Sequence, residues 1–189
     1  MTYICRYADD FVCAFQLKQE AVQFYQAVGE RLEEFGLELA QEKTNIISFS
    51  RFRKEEKTKF EFLGFEFRWG VSLKGKAIIK RRTAPGKLRK SLTAFTEWCK
   101  KMRNERLRRL FPKLIAKLRG YTNYYGLIGN SRSLSVFYEQ VKKILYKSLN
   151  RRSQRRSFSV VEFAACWMRY GVPKPRIVES DQVQLHFDF

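Results

Sequence analysis

Two carboxylates stand side by side near the start of the chain, in YICRYADDFV (residues 3–12), where Asp9 and Asp10 separate two apolar, β-prone runs. Adjacent like charges repel, so the pair is tolerable where water solvates both acids or a cation binds them. From the residues alone both readings stand. Aspartate favours turns because its side chain hydrogen-bonds nearby backbone, so a solvated hairpin tip is a sufficient account. The flanking runs, however, are apolar on both faces, as in strands buried within a sheet. A buried hairpin raising two acids at its tip is a platform for a hard cation. Mg²⁺ takes oxygen ligands, keeps several waters and completes its shell with one or two carboxylates and substrate phosphates. Two such ions about 3.5–4 Å apart stabilise both the attacking and the leaving oxygen of phosphoryl transfer.

The elements that position this pair follow from the hydrophobic pattern. Residues 3–7 and 11–15 form the predicted hairpin, with Ala8-Asp9-Asp10 at its tip. Residues 17–35 predict a helix: Ala21, Phe24, Tyr25, Val28, Leu32 and Phe35 recur at spacings of three and four, and Gly36 takes the C-cap. Residues 37–39 and 45–49 are predicted as short strands around QEKT (41–44), and residues 51–59 as a charged loop. Residues 60–68 alternate into a strand centred on Gly64, and 71–73 with 76–79 form a further small hairpin. After Pro85 the period lengthens to that of helices. Leu88, Leu92, Phe95, Trp98 and Met102 make one apolar stripe; Leu114, Ile115, Leu118, Tyr121 and Tyr125 a second, predicted to start at Pro112; Phe137, Val141, Ile144, Tyr146 and Leu149 a third. Residues 160–168 predict a fourth helix.

Charge divides the chain at the same place as periodicity. The 189 residues carry a formal net charge of +19, distributed as −2 over residues 1–70, +24 over 71–176 and −3 over 177–189. In the middle segment 28 basic side chains face four acidic ones, a self-repulsion that a polyanionic partner relieves. Arg106, Arg109, Lys113 and Lys117 are spaced three, four and four apart and share one face if helix persists through Pro112. Arg151, Arg152, Arg155 and Arg156 in RRSQRR suit either a helix C-terminus or fork-shaped contacts to folded RNA. Tyr121 and Tyr125 continue the apolar stripe, whereas Tyr124 falls off it and is the candidate for stacking on an unpaired base. The four cysteines show no Cys-x-x-Cys spacing and the single histidine lies near the end, so neither a zinc site nor a disulfide framework is indicated. The cysteines are expected to pack in a reduced interior. No uncharged run approaches a membrane span and no signal-peptide pattern opens the chain, so a cytoplasmic, nucleic-acid-associated protein is expected, with an organelle as the other setting.

YADD with apolar flanks (7–10) resembles the catalytic motif of reverse transcriptases. GLELAQEKTNIISF (36–49) resembles the palm motif that follows it, and FEFLGFEF (60–67) the primer-grip hairpin. LRGYTNYYG (118–126) and LNRRSQRRS (149–157) resemble the thumb, or maturase domain, of group II intron-encoded proteins. The resemblance implies an α+β fold: part of a palm over residues 1–80, a helical thumb over 81–176 and a C-terminal tail over 177–189. It implies Mg²⁺ held by Asp9, with Asp10 supporting. Tyr7 and Ala8 would lie near the primer terminus, and Lys43 near the incoming nucleotide, where a cation assists the pyrophosphate leaving group. Phe62, Leu63 and Gly64 would support the primer. For Lys43 the plain alternative is a surface lysine beside Glu42, and for the three grip residues it is ordinary strand packing.

The family builds its metal site with a third aspartate on an earlier palm strand and binds template with fingers that precede it. The resemblance therefore implies the C-terminal part of such an enzyme, inactive alone and completed by a polypeptide carrying the remaining palm and fingers. Its partners would be intron RNA and an RNA/DNA duplex, with no membrane. The competing expectation is a maturase-like RNA-binding splicing factor without polymerisation.

Overall fold

The computed structural model describes residues 2–52, 58–72, 74–152 and 157–179. The fold is α+β, with two small antiparallel sheets and five helices among the described residues. The chain divides into two compact units, residues 1–63 with 67–80 and residues 64–66 with 81–189.

In the first unit β1 (Tyr3–Tyr7) pairs with β2 (Asp10–Ala14), in a register that sets Tyr3 opposite Ala14 and Tyr7 opposite Asp10. Asp10 is thus the first residue of a strand, and the turn itself is Ala8-Asp9. The helix α1 spans Lys18–Glu33, slightly shorter than predicted. It ends as the glycine foretold: Gly36 has φ +67°, its N–H donates to the Glu33 carbonyl at 2.9 Å, and the Leu37 N–H reaches back to Leu32 at 2.9 Å. These two bonds make a Schellman motif.

The strands predicted at 37–39 and 45–49 do not form; neither stretch has regular secondary structure, and a turn at 41–43 lies between them. A strand exists through its pairing, and no described strand pairs with either segment. The single strand that alternation predicts over 60–68 is instead two, β3 (Lys59–Phe62) and β4 (Phe65–Val71), joined at Leu63-Gly64 as a hairpin, the form the resemblance implied for 60–67. Both turn residues have positive φ, +49° and +80°, as a two-residue hairpin loop of the primed kind requires. β5 (Ala77–Thr83) completes the order β3-β4-β5. The turn before β5 carries Gly75 at φ +77°, and Leu73 of the predicted second hairpin lies outside the described residues. Rings hold this part together: Phe60 stacks on Phe67 at 5.0 Å, and Phe49 lies edge-on to Phe60 and stacked on Trp69.

No described residue of the first unit is fully buried. The expectation of a buried hairpin is therefore corrected: Ile4 and Tyr7 on β1 are 63% and 66% exposed. Apolar flanks set the strand pairing, but burial needs a second layer, which these described residues do not provide.

The second unit holds the core. Its helices are α2 (Pro85–Lys101), α3 (Leu107–Tyr125), α4 (Ser131–Leu149) and α5 (Val160–Arg169). Pro85 opens α2, where its missing N–H costs nothing. Pro112 does not open α3 as predicted; it lies in the sixth position of that helix. Proline there removes a bond to the Arg108 carbonyl. The preceding turn survives because it buries Leu110 and Phe111 completely, at about 1.5–3 kcal/mol each. On α4 Leu145, between the Ile144 and Tyr146 assigned to the stripe, is the fully buried residue. α5 begins with a reciprocal capping box between Ser159 and Glu162. Burial pushes the Cys99 thiol up to about 12, with the Lys117 ammonium opposing, so Cys99 is an inert core residue. Cys5, by contrast, is exposed, which corrects the expectation that all four cysteines pack inside.

Three buried polar side chains organise this unit. Asn130, at the N-cap of α4, accepts from the Thr83 N–H at 2.8 Å and donates to Thr83 Oγ1 and to the Tyr125 carbonyl, both at 2.8 Å. Glu66, fully buried, accepts from Arg82 Nε at 2.7 Å. Replacing Asn130 by Ala leaves the buried Thr83 N–H without its acceptor. The expected loss is about 2 kcal/mol, read as a lower urea midpoint at unchanged m-value.

Candidate functional site

Each proposed palm residue sits on a turn or its shoulder. Asp9 is in the β1–β2 turn and Asp10 on the first pair of the ladder, and both are exposed. Ala8 before them has φ +52°, a left-handed conformation that a non-glycine residue adopts at a cost of roughly 1 kcal/mol or more. Arg6 holds the turn from behind, its Nε donating to the Ala8 carbonyl at 2.9 Å. Among the described residues the non-glycine positions with positive φ are Ala8 and Leu63. Both lie in the two hairpin turns singled out from the sequence. Such strain concentrates at sites where a particular backbone path is needed.

The donor chemistry of Asp9 and Asp10 suits a hard cation, since both supply carboxylate oxygens. The set is partial: no group of three His, Cys, Asp or Glu side chains that could hold a metal ion occurs among the described residues. Lys43 is exposed on a separate turn, residues 41–43, fixed by bonds from the Lys43 and Thr44 N–H groups to the Ala40 carbonyl. Phe62 ends β3, and Leu63 and Gly64 form the turn that follows. A Cβ on Gly64 would meet Tyr125 Oη at 3.0 Å and Lys87 Cγ at 3.7 Å, so the glycine permits both the φ of +80° and the close approach of Tyr125.

The second unit presents the basic residues. Because α3 runs unbroken through Pro112, Arg109, Lys113 and Lys117 line one of its faces, with Arg106 at the N-cap, and all four are exposed. Lys113 lies 3.8 Å from Glu105, and the Lys117 ammonium sits 5.4 Å from the centre of the Trp98 ring. α4 stops at Leu149, so RRSQRR is not its last turn. Arg151 is exposed. Arg152 is half-buried, its Nε and Nη2 enclosed without a hydrogen-bond partner among the described residues, and burial lowers its pKa. Arg155 and Arg156 lie outside the described residues.

The tyrosines divide as their periodicity foretold. Tyr121 stacks on Phe137 with centroids 3.6 Å apart, and burial pushes its phenol well above the ordinary range. Tyr125 tilts against Tyr121 and Phe65. Tyr124 is 53% exposed and stacks on Phe65 at 5.9 Å. One of its faces is thus already covered by protein.

Sequence reasoning passed over Glu66, Asn130 and the Arg81–Glu179 pair. Strand alternation puts Glu66 opposite Phe65, yet both are buried. The consecutive Arg81 and Arg82 on a strand are the signal that acids must wait nearby.

Residues 1–67 match the family model described as reverse transcriptase (RNA-dependent DNA polymerase). That stretch contains the acidic hairpin, α1, the Lys43 turn and the Leu63-Gly64 turn, and it places the reverse transcriptase likeness on the segment bearing the carboxylate pair. No curated protein and no solved structure matches the chain. No helix among the described residues is long and apolar enough to cross a membrane.

Proposed function

We propose that the chain is the C-terminal part of a group II intron reverse transcriptase and maturase, with a partial palm in its first unit and an RNA-binding thumb in its second. The observation that carries this reading is Tyr7-Ala8-Asp9-Asp10 on a strained hairpin turn inside the segment that matches the reverse transcriptase model. The order of the later sequence stretches and the exposed basic face of α3 support the intron branch. Asp9 and Asp10 would hold Mg²⁺ together with a third carboxylate from an earlier palm segment. When bound, the metal supplies charge neutralisation at the reacting phosphate and lowers the pKa of an attacking hydroxyl. Lys43 neutralises or protonates the departing pyrophosphate. Phe62, Leu63 and Gly64 orient the primer strand from their half-buried turn. Arg106, Arg109, Lys113 and Lys117 bind RNA or RNA/DNA phosphates, and Tyr124, 53% exposed, contacts a base.

A second reading, a splicing factor that binds intron RNA without polymerising, is favoured by one observation: Asp9 and Asp10 stand exposed with no third acid grouped beside them among the described residues. Primer extension separates the two. The chain supplied with the earlier palm and fingers of a group II intron enzyme is expected to extend a DNA primer on an RNA template. Tight RNA binding without extension selects the splicing factor.

A further inference from the structure

The second unit carries a built oxyanion site apart from the candidate palm residues and the α3 basic face. Arg81, near the end of β5, donates from Nη2 to both carboxylate oxygens of Glu179, at 2.9 and 2.7 Å. The Ile128 N–H, in the loop before α4, donates to Glu179 Oε2 at 2.7 Å. The Glu179 side chain is 6% exposed, while Arg81 keeps 28%. The backbone leading to it is strapped down: the Val178 and Glu179 N–H groups both donate to the Gly126 carbonyl, at 2.7 and 3.1 Å. Gly126 makes room for the strap, since a Cβ there would meet Arg176 O and Val178 Cγ2 at 3.0 Å.

A guanidinium and a backbone amide converging on two oxygens is the donor set that suits the non-bridging oxygens of a phosphodiester. The occupant comes from the acidic end of the chain, where residues 177–189 carry three acids and no base, and it sits on a segment whose net charge is +24. We propose that Arg81 and the Ile128 N–H form a phosphate seat on the basic unit, and that Glu179 is its intramolecular occupant, displaced when nucleic-acid backbone binds. This rests on the nucleic-acid reading of that unit. A tethered carboxylate acts at an effective concentration in roughly the millimolar range, so one free phosphate displaces it poorly. A polyanion that engages other cations of the unit at the same time displaces it readily. The strap therefore favours long nucleic acid over single nucleotides.

The test is fluorescence anisotropy of a labelled RNA hairpin with the full chain, in salt from about 50 to about 200 mM. Glu179→Gln is expected to bind about five- to twentyfold more tightly, with a salt slope steeper by roughly 0.7–0.9. In an Arg81→Gln background the same change is expected to have no more effect than Glu97→Gln. Glu97→Gln, which removes an equal charge from an exposed pair with Lys100, sets the size of a general charge effect. If circular dichroism shows that Glu179→Gln unfolds, Glu179→Asp, which keeps the charge and shortens the reach, takes its place with a gain of about twofold or more. A gain no larger than that of Glu97→Gln, a gain exceeding it that persists without Arg81, or weaker binding overturns the seat and leaves a purely structural strap. A wild-type chain that binds no RNA overturns the nucleic-acid reading itself.

Discussion

Replacing Asp9 by Asn lowers RNA-templated nucleotide incorporation by about a thousandfold or more, measured with the chain joined to the remaining palm and fingers. Asparagine keeps the size and the turn propensity of aspartate, so the β1–β2 register, with Tyr7 opposite Asp10, has no reason to change. What is lost is one negative oxygen donor, and removing a single electrostatic stabiliser of a transition state commonly costs two to three orders of magnitude. Asp10→Asn is expected to cost less, because Asp10 supports the site from a ladder position. RNA affinity of the Asp9 variant should stay within about twofold, since the basic residues lie elsewhere in the chain and an exposed acid repels phosphate only weakly through salt. Incorporation that persists in Asp9→Asn would show that the metal seat has been assigned to the wrong hairpin.

RNA affinity falls by about 10³- to 10⁵-fold between roughly 50 and 200 mM salt if six to ten phosphates are neutralised. The second unit has the cations to do this, 28 against four acids over residues 71–176. The acids are largely committed: Glu97 to Lys100, Glu105 to Lys113, Glu162 to the cap of α5. Changing Lys113 and Lys117 to Gln should reduce the slope by about one for each, almost uniformly across RNA sequences, because phosphate contacts carry little base information. Tyr124→Ala is expected to leave the slope unchanged while weakening single-stranded RNA more than duplex. A shallow salt dependence for the unaltered chain would remove the basis for calling the α3 face an RNA interface.

Much of the architecture could be read from short-range pattern. The 3–4 spacing of apolar residues located four of the five described helices and an apolar run the fifth, Pro85 marked the start of α2 and Gly36 the end of α1, because these are local events that a few neighbouring side chains decide. The carboxylate hairpin was legible for the same reason, and so was the division of Tyr121 from Tyr124. The errors lie where a local rule met a distant partner. Residues 37–39 and 45–49 have strand-like composition but no described strand to pair with. Pro112 signals a helix start, yet burial of Leu110 and Phe111 on the core carries the helix back to Leu107. FEFLGFEF alternates like one strand, while the positive φ of Leu63 and Gly64 folds it into two.

The amino-acid order by itself determined the pair of acids at a turn, the helical periods and the concentration of positive charge in one contiguous segment, all properties of residues close together in the chain. Tertiary structure alone decided that the acidic hairpin is not buried within a sheet, that Asn130 serves Thr83 and Tyr125 rather than its own helix, and that Glu179 lies on Arg81, 98 positions away. The physical reason is that burial and hydrogen-bond satisfaction depend on which groups meet across the fold, and local periodicity carries no information about that meeting.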